Sequence, residues 1–432
     1  MNIQNASIVV TPNAYKAGKL YSLKPTNGSG DFDFTRSGNA TRVNSGGLIE
    51  LVSTNVPRLN YPLIDGVVNG CPSLLLEPQR TNLVTYSEDF SNAAWTKSNS
   101  LITSNSVISP DGTLNADKLV ENTSTGSHQV YDVLITASGN FSNSIFVKAA
   151  ERSKIRINSG SNSFRVDFDL SNGTVISEVG ATGNIVSISN GWYKCDISWN
   201  TVIVSAQYFL ISLLDDSGTQ SYQGDGTSGI YIWGAQLEQG SYPTSYIPNY
   251  GTALGATRSA ETCNNAGNVN TFNDSEGVLY AEISSQTLSS GNDRVLSISD
   301  GTINNRIFIG FRENAGGVIY CFVVVGGVTQ ANYNTNITSL NTYSKVTLKY
   351  KQNDFSIYVN GFKVYEDTSG SIFPNGTLSN LSFNQGISSN NFYGNTKQIQ
   401  YFNTALNDSD LETLTSWDSF SDMATSQLYT IE

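Results

Sequence analysis

Apolar side chains recur at every second position along most of this chain, and that habit limits what it can fold into. Val346, Leu348 and Tyr350 point one way, and Thr347, Lys349 and Lys351 the other. A period of two is the signature of a strand with one face against a core. The turn Gln352-Asn-Asp354 leads into Phe355, Ile357 and Val359, and Asn360-Gly361 marks a type I′ hairpin, because both residues tolerate positive φ. Phe362 and Val364 continue the meander, and 306–311 with 318–325 form an earlier strand pair. In the middle of the chain Phe164, Val166, Phe168 and Leu170 alternate with Arg165, Asp167 and Asp169 before the turn Ser171-Asn-Gly173. Tyr193, Cys195, Ile197 and Trp199 repeat the pattern, and 207–214 and 230–233 read as further buried strands around Trp192 and Trp233. Helical spacing is confined to the end, where Ser409-Asp-Leu-Glu412 has the form of a capping box with Leu411 and Leu414 three apart. The pattern predicts an all-β chain of tandem antiparallel β-sandwiches, with an extended N-terminal region and one short C-terminal helix.

At 432 residues the chain is too long for one core. Residues 1–82 are rich in Gly and Asn, with turn signals at Pro25-Thr-Asn-Gly28 and Asn44-Ser-Gly-Gly47 and only short apolar segments. They read as an extended anchoring or assembly region that buries its apolar residues against a neighbouring subunit, in a homo-oligomer (dimer or trimer). Residues 83–257 form one sandwich, 258–417 a second, and 418–432 a polar tail suited to a strap or a subunit contact.

The formal charge of −12 makes the surface repel phosphate backbones and anionic lipid, so nucleic acid is not an expected partner. No apolar run reaches the length of a membrane span, and the N-terminus lacks the pattern of a secretory signal. A single histidine, His128, leaves little room for Ser-His-Asp or Cys-His chemistry or for histidine-rich metal sites, and its setting in Ser-Thr-Gly-Ser-His reads as a solvated loop. The four cysteines, Cys71, Cys195, Cys263 and Cys321, show no CxxC spacing; Cys195 and Cys321 lie within apolar strand patterns, as small buried hydrophobes do.

Retaining glycosidases need two carboxylates about 5–5.5 Å apart. The nearest candidates on one strand face, Asp167 and Asp169, read as an ordinary solvated face, so no catalytic residues are assigned. The acid-rich loops at Asp215, Asp216 and Asp225 are where a calcium ion would sit, although acidic turns also occur without metal. No other cofactor is expected. Tyr358 and Tyr365, with Lys349 and Lys363, lie by pattern on the face away from the core and are the candidate glycan or partner surface, cross-strand packing being the plainer alternative. Arg36, Arg42, Arg58 and Arg80 are the candidate assembly contacts.

The segments Tyr343-Ser-Lys-Val-Thr-Leu-Lys-Tyr350, Phe355-Ser-Ile-Tyr-Val-Asn-Gly361 and Gly394-Asn-Thr-Lys-Gln-Ile-Gln-Tyr-Phe-Asn-Thr-Ala-Leu406, followed by Asn407-Asp-Ser-Asp-Leu411, resemble the laminin-G/pentraxin group of concanavalin A-like sandwiches. Earlier segments are similar to head-fibre and tail-fibre proteins of bacteriophages, crAss-like phages included: Val10-Thr-Pro-Asn-Ala-Tyr-Lys-Ala-Gly-Lys-Leu20, Phe34-Thr-Arg-Ser-Gly-Asn-Ala-Thr-Arg-Val43 and Cys71-Pro-Ser-Leu-Leu-Leu-Glu-Pro-Gln-Arg-Thr-Asn-Leu83. Tyr86-Ser-Glu-Asp-Phe-Ser-Asn-Ala-Ala-Trp95, Gly234-Ala-Gln-Leu-Glu-Gln-Gly240 and Pro243-Thr-Ser-Tyr-Ile-Pro248 complete the set. The resemblance implies a non-enzymatic subunit of a head or tail fibre, assembled in the host cytoplasm and displayed on the virion surface. Its expected partners are capsid or tail proteins and bacterial or mucin glycans, bound by carbohydrate-binding-type sandwiches. A structural decoration or adaptor protein is the alternative from another class, and a polysaccharide depolymerase the third.

Overall fold

The structure is a computed structural model that describes residues 5–159, 163–285, 293–312, 318–337, 339–419 and 422–423. All the sheets are antiparallel apart from one isolated parallel bridge, Val295 to Asn391. The alternating segments fold as strands Phe164–Asp169, Ser344–Lys351, Phe355–Val359 and Phe362–Asp367, among others, and a helix spans Asp408–Thr415. The helix is capped two residues earlier than its capping-box pattern indicates: the Asn407 side chain accepts the Asp410 N–H at 2.9 Å.

One sandwich is assembled from both ends of the chain. Its larger sheet runs in the order Phe362–Asp367, Phe355–Val359, Ser344–Lys351, Glu276–Ser284, Gly394–Phe402, Ser73–Leu76, Arg58–Asn60, and Ile8–Val10 also pairs with Gly394–Phe402. The facing sheet runs Val328–Asn336, Val318–Val325, Arg306–Arg312, Arg294–Ser299, Asn380–Ser382. Between them Ile8, Val10, Leu74 and Leu76 share one core with Leu279, Ile283, Leu296, Ile309 and Tyr401. The first 82 residues therefore do not extend towards a neighbour. Their short strands bury their apolar residues in the same chain, through pairings such as Phe34 with Cys263 that no local pattern announces.

The second sandwich is inserted into this frame. Arg80–Asn82 leads into it and Ala256–Arg258 leads out, and the two pair with each other, Arg80 opposite Arg258. Its centre is a pair of very long strands, Gln129–Ala149 and Trp192–Leu214, of 21 and 23 residues. No flat sheet accommodates such lengths in a sandwich, and both strands run through a single ten-stranded sheet that bends around its own core. The bend falls where the register slips, from Ala137 opposite Ser205 to Gly139 opposite Thr201. On one side of it the pair is flanked by Thr96–Ser98 and Lys154–Ser159; on the other by Gly229–Gln239 and Ala181–Ile188. The extra residues Val202, Ile203 and Val204 stand out at this corner, 90%, 71% and 65% exposed. Trp192 and Trp233 are buried, as the pattern predicts.

Where the frame, its N-terminal strands and the inserted sandwich meet, charges are buried in a network. Arg58 donates to Glu261 and, at 2.8 Å, to Glu77; Arg36 donates to Glu261 at 2.8 Å; Arg258 stands 3.0 Å from Glu77. Ser245 of the inserted sandwich donates its N–H and hydroxyl to Glu77 at 2.8 and 2.6 Å. Burial works against the Glu77 charge, but Arg258 and Arg58 outweigh it and hold the carboxyl below its ordinary range. Arg36 and Arg58 are thus internal cement rather than the subunit contacts the sequence suggested. Arg42 is likewise engaged within the chain, donating to Glu50 at 2.9 Å and to the Tyr15 hydroxyl at 3.2 Å.

Candidate functional site

The face proposed from sequence for glycans is not open. The helix Asp408–Thr415 lies across it, so Tyr358, 3% exposed, packs with Val9, Tyr280, Phe402, Leu411 and Leu414. Lys349 is buried and paired with Asp354 at 2.6 Å, and Lys363 reaches Asp408 on the helix at 2.6 Å. Tyr365 is on the other side of the sheet. The hairpin register slips between Ile357 opposite Tyr365 and Tyr358 opposite Lys363, which reverses the facing of everything beyond it. Tyr365 consequently packs against the main core, its ring 5.5 Å from that of Tyr333.

The acid-rich loops serve as turn acceptors. Asp215 accepts from Thr219 N–H and Ser217 hydroxyl at 2.7 Å each, and Asp225 from the N–H groups of Thr227 and Ser228 at 2.7 Å each. Asp216 is exposed, 3.8 Å from Arg152. Among the described residues no group of three or more His, Cys, Asp or Glu stands in an arrangement that could hold a metal ion. Asp167 is not a solvated acid: Arg156 grips both its oxygens, at 2.6 and 2.8 Å. His128, too, is fully buried, its Nδ1 and Nε2 lying 2.6 and 3.2 Å from the carbonyl oxygens of Asn99 and Tyr222. Among the described residues no helix is long and apolar enough to cross a membrane.

A cleft of about 530 Å³ opens on the inserted sandwich, lined by Tyr86, Glu88, Asp89, Asn105, Asp117 and Tyr250 among others. One wall is a bulge. Strand Ser100–Ile108 pairs Thr103 with Lys118 and Val107 with Ala116, leaving Ser104, Asn105 and Ser106 opposite Asp117 alone. Asp117 holds this bulge by accepting the Asn105 N–H on one oxygen and the Phe90 N–H on the other, both at 3.0 Å. Asn105 sits at φ 53°, a conformation asparagine tolerates better than most residues. The opposite wall is the segment 246–250. Tyr246 and Tyr250 donate to one Glu88 oxygen at 2.9 and 3.1 Å, and Asn115 Nδ2 lies 3.2 Å from the other. Burial outweighs these donors and pushes the Glu88 carboxyl above its ordinary range; it does the same to Asp117. Asn115 Oδ1 is buried without a partner. Tyr250 is 72% exposed, and the Tyr86 ring lies against Gly251, where an added Cβ would sit 3.3 Å from it.

Chemically this is a concave surface with an exposed aromatic ring, fixed carboxylate acceptors and amide groups. Hydroxyl-rich rings are bound by such combinations, ring face on tyrosine and hydroxyls on acids and amides. Tyr86-Ser-Glu-Asp89 belongs to a segment that carries the fibre-protein resemblance and has no site assigned to it by pattern. The signal available was Tyr, Glu and Asp in close succession outside any strand pattern, but its partners lie some 160 residues away, as the Tyr246–Glu88 bond shows with a separation of 158.

No protein-family model matches the chain. No curated protein matches it either. Among solved structures it is similar to the CBM40 of the Ruminococcus gnavus IT-sialidase, at 16% identity over 33% of this chain and 84% of that one, with a TM-score of 0.28. The mouse laminin alpha1 domains LG4-5 match at 11% identity over 66% of this chain and 92% of that one, with a TM-score of 0.23. The CBM22-1–CBM22-2 tandem of Paenibacillus barcinonensis Xyn10C matches at 10% identity over 77% and 100%, with a TM-score of 0.24. Likenesses this distant carry no information about a ligand. The fold stands on the strand pairing itself: antiparallel β-sandwiches, one framing the other.

Proposed function

We propose that the chain is a non-catalytic glycan-binding protein of a bacteriophage particle surface, whose cleft around Tyr86, Glu88, Asp117 and Tyr250 receives a neutral sugar. The observation that carries the glycan reading is the cleft itself, with an exposed tyrosine over rigidly held acceptors. Its carboxylates favour hydroxyl donors and disfavour an acidic sugar at that place. The particle setting is supported by the resemblance of segments spread between Val10 and Pro248, and multiple copies on a fibre would turn weak sites into avid ones.

Binding of the full chain and of Tyr250→Ala to an array of bacterial and mucin glycans tests this. Retention of neutral glycans, lost in Y250A, supports the reading; equal retention by both proteins moves the site elsewhere. Release of new reducing ends from a bound polysaccharide would overturn the non-catalytic assignment.

A second reading, a decoration or adaptor protein, is favoured by the exposed apolar corner Val202-Ile203-Val204, which is suited to a protein contact. It predicts loss of particle incorporation in V202S/I203S/V204S with glycan binding intact.

A further inference from the structure

Beyond the cleft, Arg80 and Arg294 stand out among the described residues as neighbouring arginines whose charges no acid answers. Arg80 begins the strand that enters the inserted sandwich, and Arg294 begins a strand of the frame. Among the described residues neither guanidinium has a carboxylate within ion-pair distance, although Arg294 is only 7% exposed. Buried charges are ordinarily paired, because an unanswered one loses its hydration for nothing. The two lie close enough for Arg80 to disfavour the charge on Arg294, on top of the larger penalty of burial.

Their seats are specific. The Arg80 guanidinium stands 5.3 Å from the Tyr242 ring centre on one side. On the other it lies against Gly240, where an added Cβ would come within 2.7 to 3.0 Å of it, so a larger residue there would displace the guanidinium. Arg294 lies 4.7 Å from the centre of the Tyr393 ring, and Tyr242 interacts with it as well. Arg80 donates from Nη1 to the Gln79 carbonyl at 3.1 Å, while its Nε is buried without a partner. The acids facing Tyr242 are already engaged: Glu77 by Arg58 and Arg258, and Glu238 by Thr244 at 2.5 and 2.8 Å. Arg80, half-buried, keeps the pair in touch with solvent.

The geometry points to an oxyanion subsite at this junction, in which Arg80 and Arg294 together receive the carboxylate or sulfate of an acidic sugar, with Tyr242 and Tyr393 packing beside it. A planar guanidinium fork matches an oxyanion, and an anion supplies the charge the fold itself withholds. The subsite is separate from the acidic cleft and opposite in preference, so that a polysaccharide of mixed neutral and acidic residues would engage both.

The test is titration of the full chain with three probes at low and high salt: an oligogalacturonate, a dextran sulfate oligosaccharide, which bears sulfate without carboxylate, and a neutral gluco-oligosaccharide. Binding of either acidic probe, weakened about tenfold or more in Arg80→Gln and in Arg294→Gln and unchanged in Y250A, supports the subsite. Which acidic probe binds separates carboxylate from sulfate. R80K keeps the charge without the fork, so full affinity in R80K would reduce the site to diffuse attraction and overturn the assignment. Acidic probes that fail to bind while the neutral one does would overturn the subsite and leave the cleft standing; no binding of any probe would sink both. A polyglutamate peptide that binds through Arg80 where acidic sugars do not would reassign the subsite to an acidic protein segment.

Discussion

His128 sits between two backbone carbonyls, that of Asn99 in a bend and that of Tyr222 in the short strand Ser221–Gln223, with its ring 4.7 Å from that of Tyr222. Gly224 packs so closely that a Cβ there would come within 2.8 Å of the imidazole. The ring is therefore a cross-brace between that bend and that strand. Replacing it by Leu removes the ring N–H that a neutral imidazole donates to one of these carbonyls, and we expect His128→Leu to cost about 1–3 kcal/mol in denaturant unfolding. Its role was not legible in Ser-Thr-Gly-Ser-His because its partners lie 29 and 94 residues away. Glu88 gives a second prediction at this scale. Its carboxyl is raised in the folded state by burial, so the fold holds that proton more tightly than the unfolded chain does. Stability from this group is present below the unfolded carboxylate range and is lost as pH rises through the folded value. Glu88→Gln, which keeps an acceptor for Tyr246 and Tyr250, should remove that loss. Denaturation from about pH 4 to about pH 7 should show the wild type falling relative to E88Q; parallel curves would show that Glu88 titrates as a solvated acid.

Among elements, the short helix has an effect out of proportion to its eight residues. By laying Leu411 and Leu414 on Val278, Tyr280, Tyr358 and Phe402 it converts an outer sheet face into a second, smaller core. Leu411→Ala should cost about 2–5 kcal/mol and uncover Tyr358, seen as increased tyrosine accessibility to quenchers. The strands were readable because their period survives in the sequence, and the apolar pair Leu411/Leu414 was readable for the same reason. Which face of the meander stays open was not. Thr347 and Lys349 look solvent-facing by alternation, and only the arrival of a helix from far along the chain buries them. A one-residue slip in the hairpin likewise sent Tyr365 inward, and alternation cannot show a bulge that has no glycine to mark it. At the bent corner of the long strands the opposite holds. Val202, Ile203 and Val204 look like core by type but are exposed, so changing all three to Thr should leave stability within about 0.5 kcal/mol per site.

For the whole molecule, the decisive contacts are those between the first 82 residues and the last strands. Starting the chain at Leu83 would remove three strands from the large sheet and leave Glu261 without Arg36 and Arg58. We expect that truncation to lack a cooperative unfolding transition in the frame, and Arg58→Ala in the full chain to cost about 3–5 kcal/mol. A cooperative, native-like melt of the frame in the truncated protein would show that the N-terminal strands are ornament. The all-β class could be read from alternation, but the insertion could not, because it is written in pairings such as Ile8 with Tyr401 rather than in any local pattern. Those pairings also impose an order in time. On the ribosome Ser73 must wait for Asn395, 322 residues later, which at ordinary elongation rates is roughly 20 to 60 seconds. The inserted sandwich is complete well before then, while Ile8, Val10, Leu74 and Leu76 remain without their partners. On a crowded polysome the last strand of a neighbouring nascent chain could reach them first, exchanging closing strands between copies.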